Sequence, residues 1–383
     1  MAVLTRDSQA PASDVAELRG HARPRHRPGG VAVVGLGYWG PKLLRNLTAL
    51  MGDEDVIAID SDAARLMGAR KQYPWVRSYT SLEAALEGET IGAVVIATPA
   101  KTHAALARTA LEAGCGVLVE KPLASSVAEA REIVNLAASR EQVLMVAHTF
   151  LFSRRVEWLA RFIRNGELGA IHYATSSRLN LGLHRPDVNV IWDLAPHDFS
   201  ILFHLLSEFP VRLQTSGRSL VKGGGCDVAF INMTFPSGVV SAIDVSWMSP
   251  KKIRNTVIVG DSRMAVYDDT DNEAPVQIYD RGIAALDSAD FGSNQLTYRY
   301  GDTIHPYIAP DEPLSVELSH FLDCIRRGQR SISDGLFGLR VVEALEAAEE
   351  SRLRGGVPVE LQHTVATTAE EFDDTPAVRQ AAS

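Results

Sequence analysis

The 383-residue sequence predicts an α/β chain in two parts: a parallel sheet wrapped by helices, then an α+β domain with an antiparallel sheet. Three observations predict this. Between Val31 and Ala147, short apolar runs alternate with helical periods, the rhythm of βαβ units and a parallel sheet. A glycine-rich turn joins the first run to the first helical period. After about Phe150 the rhythm changes to segments that alternate at every second residue, with turn residues between them.

The elements follow in order. Val31–Val34 reads as a buried strand and Pro41–Leu50 as a helix. Val56–Asp60 is a second strand, Ala63–Arg70 a helix, and Ser81–Leu86 a short one. Ala93–Ala97 is a third strand, followed by a helix over Thr102–Ala113 that stops at Gly114. Val117–Glu120, a helix over Ser126–Ala138 and Val143–Ala147 complete this half. In the second half Arg155–Ile163 is helical and Ile171–Asn180 is a strand. A helix starting near Trp192 or Asp193 runs to Leu206. Val228–Phe235, Val239–Trp247 and Thr256–Val259 form a meander, with Pro236, Ser237 and Gly238 as its hairpin turn. Leu314–Arg326 and Leu336–Glu350 are closing amphipathic helices. The expected division is a disordered leader over 1–28, a first domain over 29–150, a second over 151–361, and a flexible tail over 362–383.

Composition narrows the function. A net charge of −9 gives no global basic footprint for nucleic acid. No apolar stretch approaches the ~20 residues a membrane helix needs. The three cysteines, Cys115, Cys226 and Cys324, are far apart and form no metal-ligand spacing. The expectation is a cytoplasmic protein without a metal, a nucleic-acid partner or a membrane anchor.

The segment GLGYWG from Gly35 to Gly40 carries the glycine spacing of a dinucleotide-binding turn. Gly35 permits the tight turn, Gly37 lets a pyrophosphate approach the backbone, and Gly40 lets helix and strand pack closely. The helix N-terminus offers amides and partial positive charge to phosphates. Asp60 ends the second strand about twenty residues on, where a carboxylate binds ribose hydroxyls. It disfavours a 2′-phosphate, so NAD is expected over NADP, with Arg65 nearby as the countervailing charge. These features define a Rossmann domain. Tyr38 and Trp39 either cover the dinucleotide or pack. Ala97, Thr98, Pro99 and His103 follow the third strand; they either line the ligand crevice or form a plain turn and helix start.

Glu120, Lys121 and Pro122 end the fourth strand, again on the crevice side. A lysine there can hydrogen-bond a substrate oxygen or, with a depressed pKa, help move a proton. Asp193 and His197 are i and i+4, neighbours on one helix face. The helix N-terminus disfavours imidazolium and Asp193 favours it, so the pair forms either a base near neutral pH or an N-capping aspartate with a satisfied core histidine. His148, beyond the fifth strand, either reaches the nicotinamide end or packs. His184 and Arg185 lie in a polar loop that either binds substrate or is solvated. Tyr300, His305 and Tyr307 are further, weaker candidates.

The segment GLGYWGP, the tripeptide Glu120-Lys121-Pro122 and the pattern Asp193-x-x-x-His197, in this order, resemble the glucose–fructose oxidoreductase, inositol dehydrogenase and rhizopine-catabolism family over roughly residues 30–361. The resemblance implies bound NAD(P) in a Rossmann domain over 29–150, an α+β substrate and oligomerisation domain over 151–361 with a large, mostly antiparallel open sheet, a polyol, sugar or cyclitol substrate, and dimers or tetramers through that sheet. It assigns the family's catalytic lysine, aspartate and histidine to Lys121, Asp193 and His197. The GYWGP form and the ending from Ile304 to Cys324 resemble members that oxidise C3 of nucleotide-linked amino sugars, with aminoglycoside-type intermediates as further substrates. The expected reaction is hydride transfer between nicotinamide and a secondary alcohol, with His197 or Lys121 as proton carrier. The alternatives are glycoside elimination or hydrolysis through transient C3 oxidation, a cyclitol dehydrogenase, and a non-catalytic NAD-binding sensor.

Overall fold

The structure, a computed structural model, describes residues 29–182, 188–221, 225–285 and 296–362. Its first layer is a six-stranded sheet formed by β1 (Gly30–Val34), β2 (Val56–Ile59), β3 (Arg77–Tyr79), β4 (Ile91–Ile96), β5 (Gly116–Glu120) and β6 (Leu144–Ala147). All pairs are parallel, in the order β3-β2-β1-β4-β5-β6. Val31 and Val33 join one buried cluster while Ala32 and Val34 join the other. Both faces are covered, which explains why the strands read as unbroken apolar runs. The flanking helices are α1 (Gly40–Met51), α2 (Ala63–Gln72), α3 (Leu82–Gly88), α4 (His103–Glu112) and α5 (Val127–Ser139).

A 3₁₀ turn over Thr149–Phe152 follows β6, and α6 (Arg154–Arg164) begins on a Ser153 cap. Among the described residues the second sheet has nine strands. They are β7 (Ile171–Leu181), β8 (Arg212–Arg218), β9 (Val228–Thr234), β10 (Val240–Ser246), β11 (Met248–Gly260), β12 (Met264–Asp268), β13 (Val276–Ala285), β14 (Leu296–Ile304) and β15 (Val359–Glu360). The order is β14-β13-β12-β11-β7-β10-β9-β8-β15, with β7 and β10 as the one parallel pair. Ala229, Ile231 and Met233 of β9 and Ala174, Ser176 and Arg178 of β7 face inward.

That inner face carries α7 (Val190–Leu206), whose buried residues include Phe199, Ile201, Leu202, Phe203 and Leu205. α7 is thus anchored between the sheet and the first domain. Its cap is Asn189, whose side chain accepts from the Ile191 and Trp192 amides at 3.0 and 3.2 Å. The helix therefore starts earlier than expected, and Pro196 lies beyond the first turn. There it removes the amide that would bond the Trp192 carbonyl.

The closing helices α8 (Pro313–Arg327) and α9 (Gly335–Leu353) pack back onto the first domain. α8 meets α1, with Asn46 donating to Glu312 at 3.1 Å. α9 packs against α5, β6 and β8. Glu346 accepts from the Val127 amide at 2.7 Å, and the Val146 amide bonds the Ser333 carbonyl at 2.8 Å. The chain crosses between domains near Phe150, but residues 313–353 belong to the packing of both. Among the described residues no helix is long and apolar enough to cross a membrane.

Candidate active site

Strand order reverses between β1 and β4, the point where an open α/β sheet leaves a crevice at its strand C-termini. A cleft of about 620 Å³ lies there. Gly35 adopts φ 93°, and a Cβ on it would lie 2.7 Å from the Ala97 carbonyl oxygen. A Cβ on Gly40 would run into the Gly35 carbonyl. Around Gly37, by contrast, a Cβ would meet nothing within 4 Å. Two glycines thus serve close packing, and the middle one leaves open the space a pyrophosphate needs. The loop fits a dinucleotide.

Tyr38 is 77% exposed and Trp39 39% exposed at the cleft lip. The Lys42 ammonium sits 3.8 and 4.1 Å over their rings, which holds them by cation–π attraction instead of core packing. Asp60 is buried and lines the cleft. Its carboxylate accepts from the Leu36 amide at 2.6 Å, the Asp62 amide at 2.8 Å and Arg65 at 3.3 Å. Besides standing at the strand end where a Rossmann fold usually carries a ribose-binding carboxylate, Asp60 therefore fixes the glycine turn itself. Thr80, Ser81, Leu82 and Glu83 also line this end; the sequence reading missed them because the strand that delivers them is short and polar.

Ala97, Thr98 and Pro99 form the facing wall. His103 also lines the cleft, but its ring is engaged: Nδ1 lies 2.8 Å from the Pro122 carbonyl and Nε2 lies 2.9 Å from the Thr98 carbonyl. It ties the loop after β4 to the loop after β5, and burial lowers its pKa. Glu120 ends β5, accepts from the Lys121 amide at 3.2 Å, and is pushed up to about 7 by burial, against the pull of Lys121 and Lys42. The Lys121–Pro122 peptide bond is cis.

At the far end of the cleft, Lys121 Nζ donates to the Asp193 backbone carbonyl at 2.7 Å and lies 3.8 Å from its carboxylate. The other carboxylate oxygen accepts from Trp247 Nε1 at 3.1 Å. Lysine and aspartate, 72 residues apart, are thus brought together as expected. His197 stands differently. Its Nδ1 is buried without a hydrogen-bond partner, and its ring meets Phe150 edge-on at 5.2 Å. Burial, then the charges of Lys121, Arg178, His148 and Arg254, push its pKa well below the usual imidazole range, not toward the near-neutral value expected from the Asp193 spacing. The i,i+4 spacing puts Asp193 and His197 on one helix, yet the Asp193 carboxylate is turned to Lys121 and Trp247.

His148 is fully buried, touches Phe337 at 5.6 Å, and has no partner on either ring nitrogen. Burial, then Lys121, pushes it to about 3. Neither His148 nor His197 is among the residues that wall the cleft. Tyr300 and Tyr307 are exposed, and neither they nor His305 line it. His184 and Arg185 lie outside the described residues. The cysteines are buried and unpaired, and no three His, Cys, Asp or Glu among the described residues form a metal-holding group.

Parallel strand order, glycine cradle and buried strand-end aspartate define a dinucleotide-binding Rossmann domain. Residues 30–148 match the family model described as the GFO/IDH/MocA oxidoreductase family, NAD-binding Rossmann fold, and residues 156–266 match the GFO/IDH/MocA C-terminal domain. The chain belongs to the GFO/IDH/MocA oxidoreductase family. It is 27% identical over 82% of its length to UDP-N-acetylglucosamine 3-dehydrogenase of Acidithiobacillus ferrooxidans, covering 93% of that protein. A solved structure of that enzyme superposes with a TM-score of 0.68, covering 85% of this chain and 96% of that one, at 28% identity. Myo-inositol 2-dehydrogenase of Thermotoga maritima is 23% identical over 84% of this chain and 95% of its own. GenD2 from gentamicin A biosynthesis, solved with NAD, shares the fold at 24% identity, with a TM-score of 0.72 over 91% of this chain and all of its own.

Proposed function

We propose that the protein oxidises a secondary alcohol of a sugar, and reduces the ketone in reverse. The favoured substrate is a nucleotide-linked hexose or amino sugar reacting at C3, or an aminoglycoside-type intermediate. The carrying observation is the 2.7 Å bond from Lys121 to Asp193, which fixes an ammonium in the wall of the same cleft that the glycine turn lines. NAD bound in the cleft supplies the hydride acceptor. The chain's residues supply the rest. Lys121 polarises the substrate oxygen and stabilises charge developing on it. Asp193, braced by Trp247, positions that ammonium. His197, held neutral by its surroundings, accepts the hydroxyl proton. His184 and Arg185 are assigned to substrate binding. Three buried, unpaired thiols support a reducing, cytoplasmic setting, and the outer face of the second sheet supports self-association as a dimer or tetramer.

The test is a panel of nucleotide sugars, aminoglycosides and cyclitols, read by NADH absorbance and product mass, followed by pH–rate profiles of Lys121→Ala and His197→Ala. Each substitution is expected to lower kcat by roughly 10²-fold or more. Near-normal turnover in both variants would reject the assignment.

A further inference from the structure

A histidine that carries a proton is ordinarily aimed by a hydrogen bond from its second ring nitrogen to a carboxylate or carbonyl. His197 lacks that device: Nδ1 is buried and unpartnered. What touches the ring is Phe150, from the 3₁₀ turn after β6, at 5.2 Å with the planes 80° apart. Phe150 in turn lies under the Arg178 guanidinium, whose Cζ is 4.8 Å from the ring centre. Arg178 is locked to Asp198, the residue after His197, by Nε–Oδ2 at 2.7 Å and Nη2–Oδ1 at 3.2 Å. Ser176 adds a bond to the same carboxylate at 2.8 Å. Arg178 is 5% exposed and Asp198 1% exposed.

Burying such a pair is no more stabilising than packing two apolar side chains of similar volume, so docking α7 on the sheet does not account for it. A bidentate guanidinium–carboxylate pair does, however, fix a plane. We propose that Arg178, Asp198 and Phe150 are positioning residues for His197. Together they fix the imidazole by ring contact instead of by a bond at Nδ1, which commits Nε2 to the substrate side. This deepens the function proposed above and rests on it.

The test uses Phe150→Leu, the double variant Arg178→Met with Asp198→Leu, which leaves no unpaired buried charge, and Phe150→Tyr, which keeps the ring. NAD affinity is measured by calorimetry, kcat and KM with the substrate found in the panel, and imidazole ¹⁵N shifts by NMR in the nucleotide-free protein. The first two variants are expected to keep NAD affinity within about twofold and KM little changed, to lose about tenfold or more in kcat, and to alter the His197 nitrogen signals. Phe150→Tyr restores kcat. Unchanged kcat with unchanged signals in both disruptive variants overturns the proposal. So does a kcat loss matched by lost NAD binding, which would mark a merely structural role. If His197→Ala turns over normally while Phe150→Leu still shifts the nitrogen signals, the functional assignment fails and the positioning stands.

Discussion

At the scale of the residue, the cleft shows what one side chain can and cannot announce. Gly35, Gly37 and Gly40 were legible because a backbone turn and a close approach each need the missing Cβ. The structure separates their roles. Gly35 and Gly40 are excluded from carrying a side chain by the protein's own carbonyls, whereas Gly37 borders open space. Gly37→Ala is therefore expected to leave the melting temperature unchanged and to weaken NAD binding by about tenfold or more, since the methyl group fills the phosphate cradle. Calorimetric titration beside a thermal melt checks this; unweakened binding would show that the nucleotide does not use that cradle. Lys121 and Asp193 were singled out by their places at a strand end and a helix start together with the family resemblance. Trp247, Phe150 and Arg178 were not. Their relation to Asp193 and His197 exists only once β7, β10 and α7 are stacked, and no local pattern encodes it.

At the scale of the element, period and composition located five of the six strands of the first sheet and four of the nine described strands of the second. They failed where burial does not impose an apolar pattern. β3 is a three-residue edge strand, Arg-Ser-Tyr. β8, with sequence RLQTSGR, buries only alternate positions in its first half. The start of α7 was misread because Asp193 resembles a cap, while Asn189 makes the cap bonds. The second sheet's outer face was legible only as alternation, and the structure shows what it presents. Tyr173 of β7 lies directly across from Val240 of β10, 44% and 50% exposed, and Phe230 of β9 is 54% exposed on the same side. An apolar sheet face of this kind suits burial against a second copy of the chain. Phe230→Asp is expected to lower the assembly mass in sedimentation velocity while the far-ultraviolet circular dichroism stays unchanged. A wild-type protein already monomeric at micromolar concentration would remove the basis for that interface.

At the scale of the whole molecule, the two domains share one buried interior, and that interior holds more imidazole than a stability argument alone would choose. His103, His148, His197, His204 and His320 are all held below the usual histidine range, mainly by burial. Each is neutral when folded and protonates more readily when unfolded. The unfolded chain thus binds more protons between the folded and unfolded values, and stability falls as the pH drops through that window. Glu120, pushed up to about 7, and Glu317, pushed well above the carboxylate range, act in the opposite sense: both are raised by burial, so their contribution is present below about 4.5 and lost as the pH rises through their folded values. The two senses oppose each other between about pH 6.5 and 4.5, so one histidine has to be isolated to read its share. His204 offers the cleanest measurement. It sits on the buried side of α7, away from the cleft lining, at about 4 through burial and the charge of Arg164. Replacing it with leucine should flatten the dependence of unfolding free energy on pH by up to about 1.4 kcal/mol per pH unit across that window. Urea unfolding at several pH values between 5 and 7 measures the slope directly. Identical slopes in the variant and the wild type would mean that His204 protonates as readily in the folded protein as in the unfolded chain.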